Sequence, residues 1–279
     1  MLNHNHFQKW GNDTFELVFD SYQGTIYSIT LADDPYKMNF VGEIGNWGKI
    51  VSENRLTRFS YRLNKSDVVR QMELMSFKLT DNEAVSVYSN MALEVTVTRS
   101  FNETGNLCEK YVIKNLREFD YYSEYGNFAI EVPFNDRYTT AIECMTQRCN
   151  THLWCGHTST YINALKMGES DKNLGLVVTE GSFGSYSVRG VQTNVRGIFS
   201  LNADHFALLP GEEYTIAWEI FSHAGTEDFY KKLEEYHTYI KIDAEHYTVF
   251  ENEEINFTVY LENAEITLDE EPIPFEKKD

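Results

Sequence analysis

The stretch ALEVTVTRSF, residues 92–101, decides the fold class because apolar and polar side chains alternate along it. Leu93, Val95 and Val97 fall on one side of an extended chain, while the intervening glutamate and threonines fall on the other. A repeat of two residues is typical of a β-strand with one buried face and one solvated face. The stretch therefore predicts a half-buried strand.

Similar runs recur along most of the chain. They are rich in the β-branched and aromatic residues that suit a pleated surface, and turn sequences with Gly, Asn, Asp or Pro separate them. The clearest of them lie at residues 15–20, 24–31, 72–80, 110–115, 126–134, 173–181, 214–223 and 255–261. Roughly fifteen short strands are too many for one flat sheet and predict an all-β protein of stacked antiparallel sheets.

One segment, residues 225–240, has the pattern of a helix. Thr226 is placed to cap its start, two acidic residues follow, and Phe229, Leu233 and Tyr236 form an apolar stripe. The helix follows the main run of strands, so we expect a β-sandwich domain over residues 1–240 that ends in this short helix. Residues 241–279 return to strand spacing but are more acidic and too short for a core of their own. We interpret them as a satellite or as the start of a following module.

The net charge of −19, from 24 basic and 43 acidic residues, restricts the partners of the chain. A field of this sign repels phosphate backbones and anionic membrane surfaces, whereas a neutral ligand is unaffected. The N-terminus has no basic segment followed by an apolar run, and no apolar run reaches the roughly 18 residues of a membrane span. We therefore expect no nucleic-acid or membrane partner, and a cytoplasmic protein, or a secreted one if the N-terminus is processed.

Three of the four cysteines cluster within residues 144–155, together with two histidines close by. Cys108 stands alone, so the set does not resemble a disulfide framework and we expect reduced thiols. Structural zinc sites pair their ligands around a loop, whereas here the candidates crowd into one stretch. On a strand, His152 faces opposite to Cys155 and His157. We therefore expect packing thiols, no metal site, no cysteine nucleophile and no cofactor.

Three segments together resemble the galactose mutarotase-like supersandwich domain of carbohydrate-active enzymes. They are GTIYSITLADDPYKMNFV at 24–41, the strands and Pro-Phe-Asn-Asp segment at 92–136, and LLPGEEYTIAWEIFSHAGTEDFYKKL at 208–233. The resemblance implies a large antiparallel β-sandwich that serves as the N-terminal domain of a bacterial glycoside hydrolase or polysaccharide lyase. It also implies polysaccharide or oligosaccharide as the partner, with a catalytic domain following in the same enzyme.

The stretch CNTHLWCG, residues 149–156, has the strongest functional spacing. Asn150, His152 and Trp154 occupy alternate positions and so share one face of a strand. An aromatic ring that stacks on a sugar, flanked by groups that hydrogen-bond its hydroxyls, is the usual basis of carbohydrate recognition. The alternative is that Trp154 lies in the core and that the two polar residues are bonded within a turn. Further carbohydrate-binding candidates on other strands are Asn135, Asp136, Tyr161, Asn163, Arg189 and Arg196.

Catalytic residues are harder to nominate from the sequence. The sugar epimerases of the resembled family use two histidines and a carboxylate, and Glu180, His205 and His152 are of these chemical types outside the family's motif. Glu131 and Asp136 are further carboxylates for a hydrolytic pair. Three functions stay open: a carbohydrate-binding or accessory domain, a self-contained glycosidase, lyase or epimerase, and a structural module that orients a catalytic domain.

Overall fold

A computed structural model describes residues 6–52, 72–123, 127–189, 197–246, 248–254, 256–260, 267–268 and 271–272. The chain divides into two compact units, Met1–Thr238 and Tyr239–Asp279. The second unit contains two strand pairs, β18 with β19 and β20 with β21. Its role as a satellite or as the start of a following module stays a prediction.

Strands dominate the part of the chain that the structure describes. They are β1 Phe7–Gly11, β2 Phe15–Asp20, β3 Thr25–Leu31, β4 Lys49–Ser52, β5 Glu73–Leu79, β6 Glu83–Ser89, β7 Leu93–Phe101, β8 Leu107–Asn115, β9 Tyr121–Ser123, β10 Phe128–Pro133, β11 Cys149–Trp154, β12 Tyr161–Lys166, β13 Asn173–Glu180, β14 Phe183–Arg189, β15 Ile198–Ala203, β16 Phe206–Leu208, β17 Glu213–His223, β18 Lys241–Ala244, β19 Phe257–Tyr260, β20 Thr267–Leu268 and β21 Glu271–Pro272. The described residues also form two α-helices, α1 Ala141–Gln147 and α2 Thr226–Leu233, and a short 3-10 helix, Gly42–Ile44.

The largest sheet is antiparallel and has eight strands in the order β11-β12-β13-β17-β8-β7-β6-β5. A four-stranded sheet, β14-β15-β10-β4, and a three-stranded sheet, β1-β2-β3, supply the other layers of the first unit. One core joins all three sheets and includes Phe19 of β2, Ile130 of β10 and Val97 of β7, each fully buried. The all-β sandwich that the alternation predicts is confirmed.

The helices differ in part from the prediction. α2 is present, but Gly225 occupies its N-cap position with no side-chain hydrogen bond, and Thr226 is already its first helical residue. α1 was not predicted, although the Thr140 side chain caps it by accepting a hydrogen bond from the backbone N–H of Glu143. Among the described residues, no helix has the length and apolarity needed to cross a membrane.

A fully buried ion pair lies inside the sandwich, between the sheets. The Arg99 Nε of β7 donates to the Glu109 Oε1 of β8 over 2.5 Å, and both side chains have no solvent exposure. The other carboxylate oxygen accepts the indole N–H groups of Trp47 at 2.7 Å and Trp218 at 2.8 Å. Because a buried charge is costly unless it is paired and hydrogen-bonded, this cluster fixes the positions of two tryptophans from separate parts of the chain.

A second buried pair fastens the loop after β3 to the eight-stranded sheet. The Lys166 Nζ of β12 lies 2.5 Å from the Asp34 Oδ1, and both side chains are nearly inaccessible. The same carboxylate also accepts the backbone N–H groups of Tyr36 and Met38. Burial alone raises the pKa of Asp34, but the hydrogen bonds from Lys166 and the two backbone groups outweigh burial and lower it.

Candidate functional site

Strand β11 forms one edge of the eight-stranded sheet. The segment after β10 hydrogen-bonds to the side of β11 that has no neighbouring strand among the described residues. The backbone N–H of Cys149 donates to the carbonyl oxygen of Asn135 at 3.1 Å, and that of Thr151 donates to the carboxylate of Asp136 at 2.9 Å. Asp136 is almost completely buried. Exposed backbone groups on an edge strand invite pairing with another chain, and these contacts satisfy two of them.

The outer face of β11 carries Asn150, His152 and Trp154, which we call the β11 patch. Cys149 on the opposite face is fully buried, while His152 is exposed and the Trp154 side chain is 56% exposed. The alternation of the strand therefore leaves more than half of Trp154 exposed to solvent. Trp154 is not a core residue.

The neighbouring strand adds two of the predicted residues to the same face. Asn163 lies directly opposite His152, and Tyr161 directly opposite Trp154, so their side chains point the same way. Asn163 is 4% exposed, and its side-chain oxygen has no hydrogen-bond partner among the described residues. The Tyr161 ring packs 5.9 Å from the ring of Phe229 in α2, measured between centroids.

Asn135 and Asp136 support the patch rather than extend it. The Asn135 amide donates to the backbone oxygen of Gln147 at 2.7 Å and accepts from the Arg148 guanidinium at 2.9 Å. Tyr138, three residues further along, donates from its hydroxyl to the Asn150 side-chain oxygen at 3.3 Å. The structure therefore joins this segment to the β11 patch, while the nitrogen and the oxygen of the Asn135 side-chain amide are both engaged in holding the loop.

An imidazole–carboxylate pair follows β11. The His157 Nδ1 lies 2.9 Å from the Asp204 Oδ2, and the His157 side chain is 75% exposed. The His157 backbone has a φ of 59°, in the left-handed region that costs a side-chain-bearing residue free energy. Backbone hydrogen bonds to and from Phe183, at 3.0 and 3.1 Å, hold it there. The carboxylate fixes the ring and leaves the other ring nitrogen on the solvent side.

A glycine places the Trp154 indole beside this pair. A Cβ atom added at Gly156 would lie 2.4 Å from the indole nitrogen, so the ring lies directly against the Gly156 backbone. Gly156 immediately precedes His157 in the sequence. The His157–Asp204 pair thus directly follows the β11 patch along the chain, and together they supply an aromatic ring, an amide, two imidazoles and a carboxylate. Sequence reasoning missed Asp204 as the partner of His157, because 47 positions separate them.

The remaining candidates are more scattered. Glu180 is exposed at the end of β13, and His205 is exposed and directly follows Asp204. Glu131 is buried on β10 in the four-stranded sheet. Arg189 is the last residue of β14. Arg196 lies outside the described residues.

All four cysteines are free thiols. No three histidine, cysteine, aspartate or glutamate side chains in the described ranges approach closely enough to hold a metal ion together. Burial raises the pKa of both Cys149 and Cys155 to about 12, and that of Cys108 to about 11. The thiolate is the reactive form, so these groups are suited to packing.

We predict that Cys149 and Cys155 resist alkylation in the folded protein. At about pH 8 a thiol with these pKa values is ionised in roughly one molecule in ten thousand. Iodoacetamide labelling followed by peptide mass spectrometry should find both unmodified in the native state and all four cysteines modified in urea. Rapid labelling of native Cys149 would show that its thiol is not buried as described.

The fold of the chain is shared with several solved structures. No protein-family model and no curated protein sequence matches the chain. The solved structure of polysaccharide lyase BACCELL_00875 superposes with a TM-score of 0.80 at 23% identity, over 96% of this chain and 41% of that one. A galactose mutarotase related enzyme from Lactobacillus acidophilus superposes with a TM-score of 0.50 at 9% identity, over 80% of this chain and 99% of that one. The chain has the galactose mutarotase-like fold.

The resemblance predicted from the sequence is thereby confirmed at the level of the fold. The Slr1438 protein from Synechocystis sp. PCC 6803 also superposes, with a TM-score of 0.51 at 10% identity over 80% of this chain and 97% of that one. This chain spans less than half the length of the lyase, 41%. A shared fold does not establish a shared activity, because one fold supports many different functions.

Proposed function

We propose that this chain is a carbohydrate-binding accessory domain of a polysaccharide-degrading enzyme, and that the β11 patch contacts the oligosaccharide. The observation that carries the proposal is the exposed Trp154 ring, 56% accessible, on a strand whose opposite face is core. A single exposed ring is ordinary by itself, but this one shares a strand face with Asn150 and His152, whose polar groups can hydrogen-bond the hydroxyls of a sugar stacked on the ring.

The chemistry of the surface suits a sugar. The Trp154 ring offers an apolar face for the C–H side of a pyranose, and Asn150 and His152 offer hydrogen-bonding groups for its hydroxyls. The exposed ring nitrogen of His157, oriented by Asp204, adds one more such group. The net charge of −19 favours a neutral glycan over an anionic polymer.

An accessory role is supported by the relation to the longer lyase. That protein carries a similar sandwich within a chain more than twice as long, since this chain covers 41% of it. We propose that a catalytic domain accompanies this sandwich and shares the bound polysaccharide with it. Tyr161 and Asn163, which lie opposite Trp154 and His152, then adjoin the binding surface, while Asn135 and Asp136 hold its base. Arg189 and Arg196 stay predictions from the sequence.

The His157–Asp204 pair favours a second candidate function, proton transfer on a bound sugar. A histidine with one ring nitrogen held by a carboxylate and the other free can act as a general acid or base. His205 and Glu180 are the further titratable groups that this enzyme would use. Incubation with oligosaccharides that bind, followed by mass spectrometry for cleaved, unsaturated or epimerised products, tests it: product formation abolished by His157→Gln supports catalysis.

We predict that Trp154→Ala weakens oligosaccharide binding about tenfold or more. Truncating an aromatic residue at the centre of a contact costs on the order of 1 to 3 kcal/mol, and each 1.4 kcal/mol is a factor of about ten. A glycan array identifies the ligand, and titration calorimetry then gives the dissociation constants of wild type and variant. Gly156→Ala should also weaken binding, because its new methyl group displaces the indole.

Tyr122→Ala is the matched control. Tyr122 is 67% exposed on β9, so its removal takes away a similar exposed ring and should leave binding unchanged. Circular dichroism of each variant checks that the sandwich is intact. If the wild type binds no glycan, or if folded Trp154→Ala binds as tightly as the wild type, the alternative of a purely structural module replaces the proposal.

A further inference from the structure

A second aromatic surface lies on the three-stranded sheet. Four rings follow one another in the order Tyr22, His6, Phe7 and Tyr27, and we call them the aromatic row. The centroid distances are 4.9 Å between Tyr22 and His6, 4.1 Å between His6 and Phe7, and 4.6 Å between Phe7 and Tyr27. Tyr22 is 71% exposed, and Phe7 and Tyr27 are also exposed. Single exposed rings are ordinary, but four in contact form a contiguous surface.

The turn that carries Tyr22 is held rigidly. Within the turn, the side chain and carbonyl oxygen of Asp20 accept the backbone N–H groups of residues 22, 23 and 24. Outside it, Ser86 and Arg99 both donate to the carbonyl oxygen of Gly24, at 2.7 and 3.2 Å. Arg99 is the buried partner of Glu109, so the backbone of this turn is hydrogen-bonded to the core ion pair.

The start of the row is held as well. Ser21 donates from its backbone N–H and from its hydroxyl to the His6 carbonyl oxygen, at 3.0 and 2.8 Å. The His6 and Tyr22 rings are stacked, with an interplanar angle of 15°. Rings that are already held in place lose little conformational entropy when a ligand binds. The smaller entropy cost favours binding.

We propose that the aromatic row is a second glycan-binding surface, which takes the apolar faces of a neutral oligosaccharide chain. The proposal rests on the proposed function only for the class of ligand. Tyrosine and histidine present a flat ring together with a polar edge, which matches the amphipathic faces of a sugar. The row itself contains no carboxylate, lysine or arginine, and the net charge of −19 opposes an anionic polymer.

Three contacts and the chain segments between them link the aromatic row to the β11 patch. A Cβ atom added at Gly45 would lie 3.0 Å from the Tyr27 ring, so this loop lies directly against the end of the row. In the same loop, Glu43 forms a 2.8 Å ion pair with Arg137. Arg137 is followed by Tyr138, whose hydroxyl donates to Asn150 of the patch. Two aromatic surfaces linked in this way suit a ligand that is a chain rather than a single sugar.

The test measures binding of neutral β-1,4-linked hexasaccharides of glucose, mannose and xylose by titration calorimetry. We expect Tyr22→Ala to weaken binding about tenfold and Tyr22→Phe to bind within about twofold of the wild type, because the ring and not the hydroxyl makes the contact. Tyr122→Ala, which removes a comparably exposed tyrosine, should bind as the wild type does. Tyr22 is exposed, so its replacement leaves the core unchanged.

The outcomes separate the two proposals. If Tyr22→Ala binds as tightly as the wild type while Trp154→Ala does not, the aromatic row is not a binding surface and the β11 patch stands. If Tyr22→Ala weakens binding and Trp154→Ala does not, the aromatic row is supported as a binding surface and the β11 patch is contradicted. If the wild type binds none of the hexasaccharides, the row is overturned. If sedimentation velocity finds a dimer that Tyr22→Ala dissociates, the row is a contact between copies of this chain and the proposal is also overturned.

Discussion

Glu109→Gln should lower the free energy of unfolding by about 3 to 5 kcal/mol, the cost of removing one partner of a buried ion pair. The substitution keeps the size of the side chain but leaves the Arg99 charge uncompensated in a site without solvent exposure. It also replaces one oxygen by an N–H donor in a cluster where Trp47 and Trp218 already donate. A loss of this size is a large part of the 5 to 15 kcal/mol that usually holds a domain together.

Urea unfolding followed by far-ultraviolet circular dichroism measures the change. Glu83→Gln is the control, because Glu83 is an exposed glutamate on neighbouring β6 and its replacement should cost less than about 0.5 kcal/mol. The double variant Arg99→Met with Glu109→Gln should recover part of the loss, since no charge is then left unpaired and the amide oxygen remains as an acceptor for the indoles. A Glu109→Gln protein within about 1 kcal/mol of the wild type would mean that the carboxylate does not balance Arg99.

Lys166→Met should cost a similar amount, about 3 to 5 kcal/mol, because it leaves the buried Asp34 carboxylate without its cation. Methionine keeps the length of the side chain and removes the charge. Lys172→Met is the control, because Lys172 lies 3.9 Å from Asp33 in an exposed pair that should contribute less than about 1 kcal/mol.

The Asp34 pair also predicts a dependence on pH. Since the folded-state pKa of Asp34 lies below its ordinary value of 3.8, the stabilisation is fully present above that value. It is lost as the pH falls through the lowered pKa. Unfolding curves at a series of acidic pH values should therefore show a loss of stability in wild type that is smaller in Asp34→Asn. Parallel curves for the two proteins would contradict the lowered pKa.

Much of the sandwich can be predicted from the sequence because alternate residues of each strand are buried. Leu93, Val95 and Val97 alternate as the strand prediction requires, and β7 is observed over Leu93–Phe101. The same alternation places Arg99 and Glu109 on the core side of their strands. Two opposite charges on the core side indicate a buried ion pair. That these two residues pair with each other depends on the register between β7 and β8, which places them directly opposite each other.

The site was predictable only in part. The alternation of Asn150, His152 and Trp154 follows from local spacing, but their exposure depends on β11 lying at the sheet edge. That position is a matter of topology, which short-range patterns do not encode. Helix α1 had a readable signal that sequence analysis did not use, a threonine followed three residues later by glutamate at Thr140 and Glu143.

The central claim is that the β11 patch binds glycan, and the indole N–H signals in a two-dimensional ¹H–¹⁵N spectrum test it most directly. The chain has four tryptophans. Trp47 and Trp218 donate to buried Glu109, and Trp10 donates to the backbone oxygen of Asp81, so these three signals should stay fixed during a titration. The account predicts that the fourth signal, assigned through Trp154→Phe, shifts saturably as the oligosaccharide selected on the array is added. A saturable titration in which the Trp154 signal does not move, or in which only the signals of Trp47 and Trp218 move, would contradict it.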